Sequence, residues 1–96
     1  MALLDDVKVA LRISASNTSF NTEINDLIGA AQRDLLVAGI KVTDTADPLI
    51  KRAIVTYCKA HFGYDNPEAE RFERAYNAIK MHLMLSTEYG GTEDAI

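Results

Sequence analysis

The stretch DPLIKRAIVTYCKAHF, residues 47–62, decides the fold. Asp47-Pro48 reads as a helix N-cap followed by proline at the first helical position, where the missing N–H would have had no partner. Beyond it Ile50, Ile54, Tyr57, Cys58 and His61 share one helix face, Leu49, Ala53 and Ala60 a second, and Val55 and Phe62 a third. Only a narrow strip of Arg52, Thr56 and Lys59 is left for water. A helix apolar on so many sides is surrounded by neighbours, so this segment is expected at the centre of a helical bundle.

Upstream, Asn21 to Ala38 repeats the 3.6-residue period, with Ile24, Leu27, Ile28, Ala31, Leu35 and Ala38 on one stripe. Ser19 or Asn21 is the expected N-cap and Gly39 the left-handed stop. Residues 40–47 make a connection with room for a short extended piece at Ile40 and Val42. Before them lies the polar loop Ser14–Ser19, and before that a short helix from Leu3 to Arg12, built on Leu4, Val7 and Leu11 with Asp5 and Asp6 in its first turn. Downstream, Gly63 ends the central helix, Asn66 is the expected cap, and Pro67 opens a fourth helix to about Thr87, roughly 30 Å long. Gly90-Gly91 is expected to stop it, leaving residues 92–96 as a short acidic tail. No segment alternates over a strand length. The expected class is all-α: a small four-helix domain, residues 1–89, with a long C-terminal helix, and a flexible tail at 90–96.

The chain has 96 residues and a mass of 10.6 kDa, enough for one small core. It is 48% hydrophobic and 25% charged, with a mean hydropathy of −0.06, as globular domains are. Fourteen acids against ten bases give a net charge of −4, so no overall positive field draws it onto nucleic acid. Cys58 is single, which excludes an intramolecular disulfide and suits a reducing cytoplasm. The start lacks a basic signal-peptide region and no apolar run approaches a membrane span, so neither export nor membrane insertion is expected.

Chemistry-bearing residues are sparse. Cys58 and His61 stand i, i+3, the spacing of a thiol–imidazole pair or the start of a metal site. Both fall on a core stripe, where cysteine behaves as a small hydrophobe. His82 is the only other histidine, and neither histidine has a glutamate three residues before it. Glu70 and Arg74 are i, i+4 in the order of an exposed ion pair. No glycine-rich phosphate loop occurs. We therefore expect no catalytic residue, no metal site and no cofactor.

The fourth helix carries the more informative pattern. With Phe72, Ala75, Tyr76, Ile79 and Leu83 as its core stripe, Met81, Met84 and Leu85 fall on the far side at 100° per residue. Large apolar side chains that face away from the core suit a contact surface, and methionine is frequent on such surfaces. These three are the expected oligomer interface.

The order of parts resembles a known family. The segments KVALRI (8–13), EINDLIGAAQ (23–32), DPLIKRAI (47–54), YDNP (64–67) and FERAY (72–76) are similar to those of the small head-tail connector proteins of tailed bacteriophages, over Leu3 to about Tyr89. The resemblance implies a non-enzymatic virion protein of the head-tail junction, assembled in the host cytoplasm. Its subunits would form a ring, typically dodecameric, beneath the portal protein and above a tail-side stopper or adaptor, lining the channel for double-stranded DNA. Such a ring needs a second patch on each subunit to meet Met81, Met84 and Leu85, expected on the outer edge of the second helix around Leu36 and Val37, and Arg71, Arg74 and Lys80 are the bases expected to guide the duplex. The connection between the second and third helices and the tail are short for such a protein. A small helix-turn-helix regulator reading DNA through Lys51, Arg52 and Lys59 is one alternative. A metal protein built on Cys58, His61 and His82 is another.

Overall fold

A computed structural model describes residues 3–41, 44–63 and 66–89. Four helices follow in order, α1 (Leu3–Ala10), α2 (Asn21–Val37), α3 (Pro48–His61) and α4 (Ala69–Leu85), and a 3-10 turn, Thr87–Tyr89, closes the described chain. No strand occurs among the described residues, so the domain is all-α as its periodicity requires.

The central position of α3 follows from its apolar girth: it packs against α1, α2 and α4. Ile50, Ala53, Ile54 and Cys58 have no exposed surface, and Ile24, Leu35 and Leu83 meet them from α2 and α4. Each large aliphatic side chain so buried contributes about 1.5–3 kcal/mol. The start of α2 lies beside the end of α3, where the Gly63 N–H reaches Glu23 Oε2 at 3.4 Å. Near the other end Asp34 of α2 stands against Tyr76 and Lys80 of α4. The chain after α4 returns to the start of α3 through Tyr89. Hence α2 and α4 both run opposite to α3 and parallel to each other.

Capping explains most of the boundaries. Asp47 caps α3 as expected, its Oδ1 accepting from Leu49 N at 2.8 Å and Ile50 N at 3.3 Å. Gly39, at φ +96°, closes α2 with Gly39 N bonded to Leu36 O and Ile40 N to Leu35 O. This six-to-one closure leaves Ile40 fully buried. The same motif ends α1 on a residue that is not glycine: Arg12 takes φ +65°, with Arg12 N on Val9 O and Ile13 N on Lys8 O. The first helix thus stops at Ala10, short of the expected Arg12.

Three further expected termini need correction. Neither Ser19 nor Asn21 caps α2; the cap position is Phe20, with no side-chain hydrogen bond. Asn17 Oδ1 instead takes the Ser19 N–H at 3.0 Å, and Phe20 packs edge-on against Phe62 at 5.4 Å, so an aromatic contact anchors the helix start. Asn66 does not cap α4 directly. Its side chain accepts from Glu68 N at 3.0 Å and donates to Lys59 O at 2.7 Å, which ties a turn to the end of α3 and delays the helix to Ala69. At its other end α4 stops at Leu85, about 25 Å after it starts at 1.5 Å per residue. Ser86 is extended there, because Tyr89 turns back to dock its ring in the core and its carbonyl on Lys41 N at 2.9 Å. Val42 and Tyr64, the Gly90-Gly91 stop and the tail lie outside the described residues.

Candidate functional site

Two exposed apolar surfaces stand out, on different helices. On α4, Met81 is 55% and Leu85 65% exposed, on the side away from Tyr76 and Leu83. At the end of α2, Leu36 and Val37 are 48% and 76% exposed. Buried Leu35 and the Gly39 turn fix their direction, since the residues just after a core position on a helix are carried round toward solvent. Met84 corrects the expected trio: it is half-buried and packs against the core, not away from it. It lies 100° from Leu83, while Met81 and Leu85 lie further round toward solvent. The core stripe of α4 is correspondingly narrower than expected, because Ala75 is exposed.

Between these surfaces sits a polar junction that apolar periodicity does not register. Tyr76 Oη donates to Asp34 Oδ2 at 2.6 Å, and Lys80 Nζ reaches the same oxygen at 2.9 Å. The Tyr76 hydroxyl above all, with the Lys80 ammonium, holds the Asp34 carboxyl below its ordinary range against the opposing effect of burial. Burial, reinforced by that same bond, pushes the Tyr76 phenol up. Lys80 also lies 5.1 Å from the Tyr76 ring centroid. It is therefore engaged in holding α2 to α4 and is not a free base for DNA, contrary to expectation. Arg71 and Arg74 are exposed; Arg71 pairs with Glu68 and sits 5.0 Å from the Phe72 ring, and Arg74 lies 3.7 Å from Glu70.

Two further anchors were not legible as such in the sequence. Lys8 is only 3% exposed, and its ammonium donates to Ala15 O at 3.2 Å and Asn17 O at 2.6 Å, clamping the polar loop onto α1. Tyr89 Oη lies 3.1 and 3.0 Å from the two carboxylate oxygens of Asp47. Desolvation raises the Asp47 carboxyl, but the bonds from Tyr89 and from the Leu49 and Ile50 N–H groups outweigh it and leave the group below its usual range. The cap of α3 thus also fastens the end of the described chain.

The geometry bears on the other readings. Cys58 is fully buried and its thiol is pushed up to about 12, while His61 lies on the surface with its ring 4.2 Å from Tyr57 and its Nε2 3.3 Å from Glu73. The two do not form a thiol–imidazole pair, and no group of three or more His, Cys, Asp or Glu is placed to hold a metal among the described residues. As a recognition helix α3 is poorly placed, since α1, α2 and α4 pack against it and leave only a narrow strip around exposed Arg52. Lys51 is engaged by Asp6 at 3.2 Å and Lys59 lies 5.0 Å from the Phe72 ring. An open groove of about 400 Å³ lies beside Leu11, Phe62 and Phe72.

A family model described as phage connector protein matches residues 3–90. The chain belongs to the phage connector protein family. This connector is thereby a structural component that joins head and tail in a phage particle, working by assembly with other head or tail proteins. No curated protein and no solved structure gave a match. Among its described residues no helix is long and apolar enough to cross a membrane.

Proposed function

We propose that copies of this connector close into a ring at the head-tail junction of the virion, between the portal and a tail-side stopper or adaptor, with DNA passing through the centre. The observation that carries this reading is the pair of unlike apolar surfaces: Met81 and Leu85 on α4, Leu36 and Val37 on α2. A ring repeats one head-to-tail contact until it closes, and such a contact needs two different patches on each subunit. Met84 supports the α4 patch from beneath. A net charge of −4 suits a duct that must not hold phosphates tightly. Assembly takes place in the host cytoplasm before head and tail join.

Mass by light scattering, followed by negative-stain imaging of the high-mass peak, tests the ring. The expected mass is an integral multiple of 10.6 kDa with annular particles. Met81→Glu places a charge on an exposed patch, so the helical spectrum is retained while the multimer is lost. A wild-type multimer that survives Met81→Glu unchanged refutes the α4 patch as its interface.

A further inference from the structure

The exposed side of α4 carries Arg71, Arg74, Ala78, Met81 and Leu85, spaced i, i+3, i+7, i+10 and i+14. The exposed side of α2 carries Glu23, Asp26, Ala30, Arg33 and Val37 at the same spacing. That spacing is the 3.5-residue seam on which two parallel helices interdigitate. Matched in order, the rows are complementary: two acids meet two bases, alanine meets alanine, a long flexible side chain meets methionine, and valine meets leucine. All ten residues are exposed.

We infer that the subunit contact of the ring is a parallel pairing of α2 from one copy with α4 of the next, in the register Glu23–Arg71, Asp26–Arg74, Ala30–Ala78 and Val37–Leu85. This rests on the ring reading above and names its surface. Three observations favour a second copy as the occupant. The first is the charge match: Asp26 has no polar partner within the described chain. The arginines of α4 hold exposed pairs with Glu68 and Glu70, which are worth little in water and are readily exchanged, and Arg71 also rests against the exposed edge of α4 at 5.0 Å from the Phe72 ring centroid. Glu23 is committed only to the 3.4 Å contact with Gly63 N.

The second is direction. Within one subunit α2 and α4 both run against α3, so a rotation about an axis along the helices presents them to each other in parallel. The third is level. Asp34 already stands beside Tyr76 and Lys80 in the same subunit, at separations of 42 and 46 in residue number, and the proposed register needs 48. The two helices therefore stand at overlapping heights, and rotation with a shift of two to six residues, about 3–9 Å along a helix axis, brings the rows together. The two alanines let the backbones approach at the middle of the contact. The stem of Arg33 lies along Met81 with its guanidinium in water.

Cysteine cross-linking reads the register directly, because native Cys58 is fully buried and does not compete. In an Ala30→Cys/Ala78→Cys chain, mild oxidation is expected to give a ladder of covalent multimers, and neither single variant is expected to cross-link. Self-cross-linking of Ala78→Cys alone would show a two-fold contact through α4 and overturn the inference. A multimer that light scattering detects but oxidation fails to cross-link overturns the register and leaves the ring standing. A chain that stays monomeric both alone and with its portal overturns the ring, and this contact with it. Charge reversal supplies the second readout: Asp26→Arg and Arg74→Asp are each expected to weaken association roughly tenfold, and the double reversal to restore it. Failure of that rescue, with all three chains folded, removes the proposed Asp26–Arg74 pair.

Discussion

Replacing Lys8 with methionine keeps the length and apolar stem of the side chain and deletes its ammonium. The nitrogen makes two hydrogen bonds, at 3.2 Å to Ala15 O and 2.6 Å to Asn17 O, and the residue is 3% exposed. Hydrogen bonds to a charged group contribute about 1.5–3 kcal/mol each, while removing an ammonium from water costs several kcal/mol. The terms oppose one another, and the loop decides the balance. Residues 14–19 are exposed throughout, so the polar segment has no core of its own and depends on this clamp for its path into α2. We expect a net loss of about 1–3 kcal/mol, which for a domain of this size lowers the melting temperature by roughly 5–15 °C. Urea unfolding followed by circular dichroism measures the loss, and amide hydrogen exchange at Ala15–Ser19 should accelerate well before the core amides do. A methionine variant as stable as the wild type, with unchanged exchange in the loop, would refute the clamp. In that case desolvation cancels the bonds and the loop is held by the Asn17 turn and the Phe20–Phe62 contact.

Arg12 adopts φ +65°, a conformation that costs a side-chain-bearing residue about 1–2 kcal/mol and glycine almost nothing. Arg12→Gly should therefore stabilise the domain by about 0.5–1 kcal/mol after the added unfolded-state entropy is counted, and a lowered melting temperature would contradict this. Because Asp34 is held below its ordinary pKa in the folded chain, the stability it contributes is present above about pH 4 and is lost as pH falls through its folded value. Tyr76→Phe removes the largest cause of that lowering, so the urea midpoint of the variant should fall less steeply below pH 4; an unchanged acid limb would show that the bond does not matter. Met84→Glu places a carboxylate against the core and should cost about 1–3 kcal/mol in a thermal melt, whereas Met81→Glu should stay within about 0.5 kcal/mol.

Helix number and type were readable because α3 is apolar on three sides and α2 on one, patterns that survive any reasonable placement of the ends. Asp47-Pro48 and Gly39 marked their boundaries because the chemistry of a cap is local. The boundaries that differed were set by contacts distant in sequence. Asn66 reaches Lys59, Phe20 packs on Phe62, and Tyr89 crosses to Asp47, which shortens α4 relative to its periodicity. The surface was legible in part for a related reason. A helical wheel places Met81 and Leu85 outside, yet it assigns Met84 by angle alone and has no means of knowing how far the core extends toward α2. Lys80 read as a free base because its partner Asp34 lies on another helix, and Lys8 as an ordinary helix residue because its partners are backbone carbonyls of the following loop.

The central claim is that this connector assembles onto the portal as a ring. Sedimentation of the purified chain with the portal of its own phage tests it most directly. Co-sedimentation at a fixed stoichiometry is predicted, with added annular density on the tail side of the portal and loss of both on Met81→Glu. A wild-type chain that remains at 10.6 kDa and leaves the portal bare at micromolar concentrations would contradict the account.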